Sequence, residues 1–167
     1  MTALTLVLAI AFAFASGPAR AQLSEPEAKV ALLFNVITFV EWPRDQSQLN
    51  LCQLGGDEYN SALRSIDKAS VGTATLRVLR LAPGESSRGC QILFIADSNP
   101  ARIRRVLDEA GPGMLTVCDS LDGVALGAMV GIGVERQRLS FNIGQTAARS
   151  AGVGISSKLL RLAGSVR

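Results

Sequence analysis

The sequence predicts an α/β fold: a layered sandwich with a mostly parallel central sheet, flanking helices and an antiparallel hairpin near one edge. Strand-like and helix-like stretches alternate along the chain, which favours this class. The runs "CQILFIA" and "MLTVCD" are continuously apolar, as central strands covered on both faces are. The segment "GAMVGIGVERQRLSFNIG" reads as two strands joined by a tight turn near Arg136–Gln137. With 167 residues, 48% of them hydrophobic and 19% charged, one globular domain is expected.

The first 21 residues are a predicted signal peptide. They are apolar from Leu4 to Phe14 and end in Ala19-Arg20-Ala21, the small-x-small pattern of a signal-peptidase site. Cleavage before Gln22 would leave an exported chain of residues 22–167, a single domain. No later stretch approaches the roughly 20 apolar residues that a membrane-spanning helix requires, so the exported chain is not expected to span the membrane.

The first half of this domain begins with a helix. In "SEPEAKVALLFNVITFV", Ser24 caps an acid-rich first turn, and the apolar run that follows indicates a buried helix. Pro43 disfavours helical geometry at the preceding Trp42, which predicts that the helix ends there. "LNLCQLG" is a predicted strand, "EYNSALRSID" has apolar residues at helical spacing, and "TLRVLRL" alternates like a half-exposed strand.

The second half continues the alternation. After the strand "CQILFIA", the segment "NPARIRRVLDEAGPG" predicts a helix with Asn99 as N-cap and Gly111 as its stop. The strand "MLTVCD" and the hairpin follow. The last helical region, "QTAARSAGVGISSKLLRLAGSV", is broken at Gly152–Gly154 and begins again at Ser156 or Ser157.

Composition excludes several classes of chemistry. The chain contains no histidine, so the Ser-His-Asp triad, the Cys-His pair and the HExxH zinc helix are unavailable. Its three cysteines form no CxxC motif, and in an oxidising compartment they predict one disulfide and one spare thiol. No metal and no cofactor is expected. The basic cluster Arg102, Arg104 and Arg105 reads as a solvated helix face, so no nucleic-acid partner is expected.

The glycine-rich stretch "GAMVGIGVE" suggests a dinucleotide-binding loop at first sight. A phosphate loop needs its glycines between a strand and a helix, whereas Gly127, Gly131 and Gly133 sit within a predicted strand that continues into another strand. Close backbone packing explains these glycines better.

Several segments, in order, carry a family resemblance: "KVALLFNVITFVEWP", "LNLCQLGGDEYNSAL", "GCQILFIADS", "MLTVCDSLDG" and "LSFNIGQTAARSAGVGISSKLLRLA". Together they resemble the YfiR family of exported regulators, from about Glu27 to Ala163. The most specific parts are the Phe-Val-Glu-Trp-Pro segment and the closing Ile-Ser-Ser-Lys-Leu-Leu-Arg-Leu-Ala, residues 155–163.

This resemblance implies a periplasmic protein, usually a homodimer. It also implies a repressor, not an enzyme, that binds the periplasmic sensor domain of a membrane-anchored diguanylate cyclase of the YfiN type, which lowers cyclic di-GMP signalling and biofilm formation. Cys52 and Cys90 match the cysteines that form a disulfide in similar proteins, and both are predicted at strand entrances. Cys118 is left over as a buried small residue or a reactive thiol.

Three further sets of residues are candidates for a functional role. Trp42, beside Glu41, is either a hydrophobic lid over the first helix or an anchor at a dimer or partner surface. Near a helix start, a small anion or metabolite could bind the set Asn142, Gln145, Thr146 and Arg149, which otherwise forms a surface cap.

The last set concerns catalysis. Asp119 and Asp122 follow a central strand, where catalytic groups of α/β enzymes gather, but the sequence shows no base, metal or nucleophile beside them. The leading interpretation is therefore a regulator that binds a protein. A periplasmic binding module for an anion or metabolite is the second, and an enzyme is the third.

Overall fold

A mostly parallel sheet lies at the centre of the part of the chain that the structure describes. The structure is a computed structural model that describes residues 23–42 and 46–167; the predicted signal peptide and Pro43 lie outside these ranges. The helices are α1 (Glu25–Thr38), α2 (Asn60–Ser65), α3 (Pro100–Asp108), α4 (Gln145–Ser150) and α5 (Ser157–Leu162). The strands are β1 (Val40–Glu41), β2 (Gln48–Gly55), β3 (Ser70–Val71), β4 (Ala74–Leu81), β5 (Ile92–Ala96), β6 (Leu115–Cys118), β7 (Val130–Glu135), β8 (Arg138–Ile143), β9 (Gly154–Ile155) and β10 (Ser165–Val166). Two 3₁₀ helices cover Asp57–Tyr59 and Leu121–Leu126.

Within the described residues the large sheet has eight strands in the order β10-β8-β7-β6-β5-β2-β4-β3. The run β4-β2-β5-β6-β7 is parallel throughout, and β7 and β8 form the antiparallel hairpin near one edge. Strands β1 and β9 form a separate antiparallel pair. The predicted fold class is therefore confirmed.

Helices cover both faces of this sheet and create two apolar cores. Strand residues alternate between them: Ile92 and Phe94 of β5 face the core under α1, α2, α4 and α5, whereas Leu93 and Ile95 face the core under α3. This alternation explains why β5 reads as a continuous apolar run. None of the helices in residues 23–42 and 46–167 is long and apolar enough to cross a membrane.

Helix α1 begins as predicted and ends earlier than predicted. The Ser24 hydroxyl accepts from the Glu27 N–H while the Glu27 carboxylate accepts from the Ser24 N–H, a complete capping box. The helix ends at Thr38, not at Trp42, because the chain leaves it at Phe39 to pair with β9. A tertiary strand pairing, which the local sequence does not reveal, overrides the helical pattern.

The hairpin turn, Gly131 and Gly133 match the sequence prediction. Arg136 and Gln137 both adopt positive φ, 49° and 63°, which is the geometry of a tight two-residue hairpin turn. A Cβ atom on Gly131 would collide with the Ser120 carbonyl oxygen, and one on Gly133 would crowd Leu121. Gly127 differs from the prediction: it follows the 3₁₀ helix Leu121–Leu126 and precedes β7, and its φ of 111° requires the conformational freedom of glycine.

Helix α3 is capped by Asn99 as predicted, but it ends at Asp108, before the expected stop at Gly111. The last helical region is broken at the predicted glycines, and Ser156 caps α5.

Candidate functional site

The two segments with the most specific sequence patterns lie side by side. Val40 pairs with Ile155, and Glu41 pairs with Gly154, in the small antiparallel sheet. The Phe39 carbonyl accepts a hydrogen bond of 3.1 Å from the Ser156 N–H. These contacts join the exit of α1 to the loop before α5, although more than 100 residues separate them in sequence.

A cation–π contact reinforces this junction. The Lys158 ammonium lies 5.1 Å from the centroid of the Phe39 ring, within the range in which a cation is attracted to an aromatic face. The Phe-Val-Glu-Trp segment and the Ile-Ser-Ser-Lys segment therefore form one substructure, which we call the α1-exit junction, residues 39–42 and 154–158.

Trp42 packs against the main apolar core, as the lid interpretation predicts, and is half-buried. It lines a cavity of about 210 Å³ with residues at the starts of β2 and β4, among them Leu49 and Ala74. In a lid of this kind the indole N–H should meet solvent or a backbone carbonyl. Instead Nε1 is buried and has no acceptor among the residues that the structure describes. Its neighbour Glu41 is exposed.

A polar cluster, which the sequence did not reveal, lies at the end of the strands opposite the α1-exit junction. The Asp119 carboxylate accepts from the Lys29 ammonium at 2.6 Å and from the Tyr59 hydroxyl at 2.6 Å. Lys29 also pairs with Glu25 at 2.7 Å. Lys29 is buried in an apolar helix, at 8% exposure, and a buried ammonium requires partners of this kind.

The electrostatics of this cluster follow from its burial and its hydrogen bonds. Burial and the hydrogen bond to Asp119 raise the pKa of Tyr59 above its usual range. Burial alone would lower the pKa of Lys29, but its hydrogen bonds to Asp119 and Glu25 outweigh burial and raise that pKa. At neutral pH the cluster therefore holds a charged lysine and a neutral tyrosine against Asp119.

The aspartates considered for catalysis line one cleft of about 620 Å³, at the carboxyl ends of β5 and β6. The cleft is bordered by Glu58, Ala96, Asp97, Ser98, Pro100, Ile103, Asp119, Ser120, Asp122, Ala125 and Leu126. Both oxygens of Asp119 are engaged by Lys29 and Tyr59, and Asp97 is paired with Arg102. No group of three or more potential metal ligands is present in residues 23–42 and 46–167. Asp119 and Asp97 are each paired with a cation, whereas Asp122 is exposed and forms no ion pair with a residue that the structure describes.

The structure places the residues considered for an anion or metabolite on β8 and α4. Asn142, on β8, donates to the Leu121 carbonyl at 3.3 Å. The N–H groups of Gln145 and Thr146 both point to the Arg167 carbonyl oxygen, at 2.6 and 3.3 Å. Arg149 is exposed in the last turn of α4, not near its start. A small ligand at this site stays a prediction.

A disulfide joins Cys52 and Cys90 on the α3 side of the sheet, with Cα atoms 5.8 Å apart. Cys90 comes just before β5, as expected, whereas Cys52 lies in the middle of β2, not at its entrance. Cys118 is free and buried, and burial raises the pKa of its thiol to about 12. A thiol with such a pKa is almost wholly protonated at neutral pH and is a poor nucleophile.

Comparison with solved structures places this architecture among known folds. One similar chain is a conserved domain protein from Vibrio cholerae O1 biovar El Tor, with 14% identity and a TM-score of 0.58 over 87% of this chain and 61% of that one. Another is the ABC domain in complex with L-Trp from Streptococcus pneumoniae, with 12% identity and a TM-score of 0.58 over 85% of this chain and 60% of that one. This chain thus spans about three fifths of either structure, and at these identities the likeness shows the fold alone.

Comparison with curated proteins finds no match. A family model described as YfiR/HmsC-like matches residues 26–164, a range that contains the α1-exit junction, both disulfide cysteines and the Lys29–Tyr59–Asp119 cluster. Because the match extends over most of the chain, this protein belongs to the YfiR/HmsC-like family.

Proposed function

We propose that this protein is an exported, non-catalytic regulator that binds the periplasmic sensor domain of a membrane-bound diguanylate cyclase and represses it. The single observation that carries the proposal is the match of residues 26–164 to the YfiR/HmsC-like family. Membership of this family suggests a regulator of diguanylate cyclase signalling. Repression lowers cyclic di-GMP and biofilm formation. The protein acts in the periplasm, after cleavage of the signal peptide.

Two features of the structure support this assignment. The Cys52–Cys90 disulfide suits an oxidising compartment such as the periplasm. At the carboxyl ends of the central strands, the Asp119 and Asp97 carboxylates are engaged in ion pairs and hydrogen bonds, which suits a binding protein better than an acid–base catalyst.

Repression needs only differential binding. A regulator that binds the inactive conformation of the sensor more tightly than the active one shifts the population towards the inactive state. A preference of about 100-fold, or roughly 2.7 kcal/mol, is enough to depress the active population strongly.

The proposal also includes a homodimer. We place the dimer contact at the α1-exit junction, where Glu41 is exposed and Trp42 is half-buried, because tryptophan is over-represented among residues that dominate binding energy. The junction then lies at the amino ends of the strands and leaves the opposite end of the molecule accessible to the cyclase.

The decisive experiment measures cyclic di-GMP in strains that lack the gene, the partner cyclase, or both. Loss of the regulator should raise cyclic di-GMP, surface attachment and matrix production. Additional loss of the cyclase should cancel the increase. An unchanged cyclic di-GMP level in the single deletion, in a strain shown to express both proteins, would refute the proposed function.

A further inference from the structure

The hairpin β7–β8 extends beyond its neighbouring strands. Strand β6 pairs with β7 only as far as Cys118 and Gly131, and β10 pairs with β8 only at Asn142 and Ile143. The four residue pairs from Ile132–Phe141 to Glu135–Arg138 therefore have no third strand beside them among the described residues. We call this part of the hairpin the arm, residues 132–141.

One face of the arm is covered, and the other is buried at the base of the arm and open at its tip. On the covered face, Gly133 packs closely against Leu121 of the second 3₁₀ helix. On the other face, Ile132 and Phe141 are buried in the core under α1. Val134 and Leu139 continue this second face toward the tip.

These two residues form a small exposed apolar patch. Val134 and Leu139 lie directly opposite each other across the two strands, so their side chains point to the same side. They are 48% and 37% exposed. A single exposed apolar residue is ordinary, but an adjacent pair at the end of a projecting arm is a surface suited to a partner.

The charges around this patch indicate what kind of partner fits it. Arg136 and Arg138 are exposed, and neither guanidinium forms an ion pair with a described carboxylate. Glu135 is the one acidic residue of the arm, so the tip carries a net positive charge. Arg136 lies at the turn beside the patch, whereas Glu135 and Arg138 pair directly opposite each other and point to the other face of the hairpin. A partner that covers Val134 and Leu139 therefore comes close to Arg136, and an acidic group on that partner would complement the guanidinium.

From these observations we infer that the arm contacts the periplasmic domain of the cyclase, through an apolar and acidic surface of that domain. This inference rests on the proposed function and names the face of the regulator that performs it. A second copy of this chain fits less well, because a two-fold contact between arms would bring like-charged arginines together. A membrane surface also fits less well, because the tip contains no tryptophan or tyrosine, the residues enriched at membrane interfaces.

The test is a binding titration between the full exported chain and the purified periplasmic domain of the cyclase identified by the double deletion. Leu139→Ser removes half of the apolar patch and should weaken binding by about tenfold. Leu79→Ser is the matched control: Leu79 is 40% exposed but lies on β4, which β6, β5 and β2 separate from the arm. It should leave the affinity unchanged.

A charge variant tests the second part of the inference. Arg136→Asn lowers the net charge of the tip from +1, from two arginines and Glu135, to zero, and asparagine tolerates the positive φ at residue 136. This variant should bind more weakly and should lose affinity less steeply as salt is raised. Arg104→Gln, on the exposed face of α3, is the control for loss of an arginine.

The outcomes separate the two proposals. If the wild-type chain does not bind the cyclase domain, the proposed function fails and this inference fails with it. If the wild-type chain binds and the arm variants bind equally well, the inference alone is overturned. If the arm variants keep their affinity for the cyclase domain but bind phosphatidylglycerol vesicles more weakly than the wild-type chain, the arm is a membrane contact, and the inference is also overturned.

Discussion

Lys29 and Asp119 form an ion pair of 2.6 Å between the first turns of α1 and the carboxyl end of β6. The side chains are 9% and 17% exposed, so water screens the pair poorly. The contact ties the longest helix to the middle of the sheet, and Tyr59 joins it from the segment after β2. Three separate parts of the chain thus meet at one carboxylate.

The first prediction concerns loss of this ion pair. Lys29→Met leaves the Asp119 carboxylate partly buried with only the Tyr59 hydroxyl as a partner, and should lower the free energy of unfolding by about 3 kcal/mol. Urea unfolding measures the effect. Glu25→Gln is the control, because the Glu25 side chain is 61% exposed and its loss should cost less than about 0.5 kcal/mol. Equal effects of the two substitutions would contradict the prediction.

The second prediction concerns alkaline pH. The folded state raises the pKa of both Tyr59 and Lys29, so each group keeps its proton longer when folded. Their contribution is complete below the unfolded pKa values of about 10 and 10.4 and is lost as the pH rises. We expect the free energy of unfolding to fall above about pH 10, by up to roughly 1.4 kcal/mol per pH unit for each group.

The free energy of unfolding of the wild type and of Tyr59→Phe, measured between pH 8 and 11, tests the predicted loss of stability. The variant lacks the hydrogen bond to Asp119, so it should be less stable than the wild type at neutral pH. Because phenylalanine cannot titrate, the free energy of unfolding of the variant should fall less steeply above pH 10. Parallel curves for the two proteins would show that Tyr59 does not contribute to the alkaline slope.

The sequence predicted those parts of the fold that depend on local patterns. The Ser24 and Asn99 caps, the apolar strand β5 and the positive-φ turn are each encoded within a few residues. The prediction of the end of α1 was wrong, because that end is set by a segment distant in sequence: Phe39 leaves the helix and contacts Ser156. The buried Lys29 was also overlooked, although a lysine within an apolar helix is a signal that it has an acidic partner.

The third prediction concerns the hairpin turn. Arg136 and Gln137 both adopt left-handed backbone conformations, which cost energy for residues other than glycine and asparagine. Arg136→Asn with Gln137→Gly should therefore raise the free energy of unfolding by about 1 kcal/mol. Thermal or urea unfolding measures the gain. Gly127→Ala provides the opposite case, because its φ of 111° should make alanine destabilising.

The fourth prediction concerns the disulfide. Cys52 and Cys90 are 38 residues apart in sequence, and closing such a loop stabilises the folded state by about 4 kcal/mol in the chain-entropy model. Cys52→Ser should therefore lower the free energy of unfolding by a few kcal/mol. Peptide mapping of periplasmic material without reductant should show the Cys52–Cys90 link and a free Cys118. A link from Cys118 to either residue would contradict this.

The fifth prediction separates the two roles of Trp42. The indole packs against the main core and is half-buried, so Trp42→Ala should lower the free energy of unfolding by about 3 kcal/mol, the lower end for loss of a large aromatic residue. Trp42→Phe should cost far less, because it keeps an aromatic ring in the core and removes a buried Nε1 that has no described acceptor. Glu41→Gln, at an exposed position, should leave stability within about 0.5 kcal/mol.

Sedimentation of the same variants tests the dimer contact. If Trp42 serves only as a lid over the core, Trp42→Phe should dimerise like the wild type. If it is an anchor, Trp42→Phe should weaken the dimer while the free energy of unfolding of the monomer changes little, since the two aromatic rings fill the core similarly but present different surfaces to a partner. Glu41 is exposed beside Trp42, so Glu41→Gln should also weaken the dimer if Trp42 is an anchor. If neither substitution changes the dimerisation constant, the dimer contact lies elsewhere.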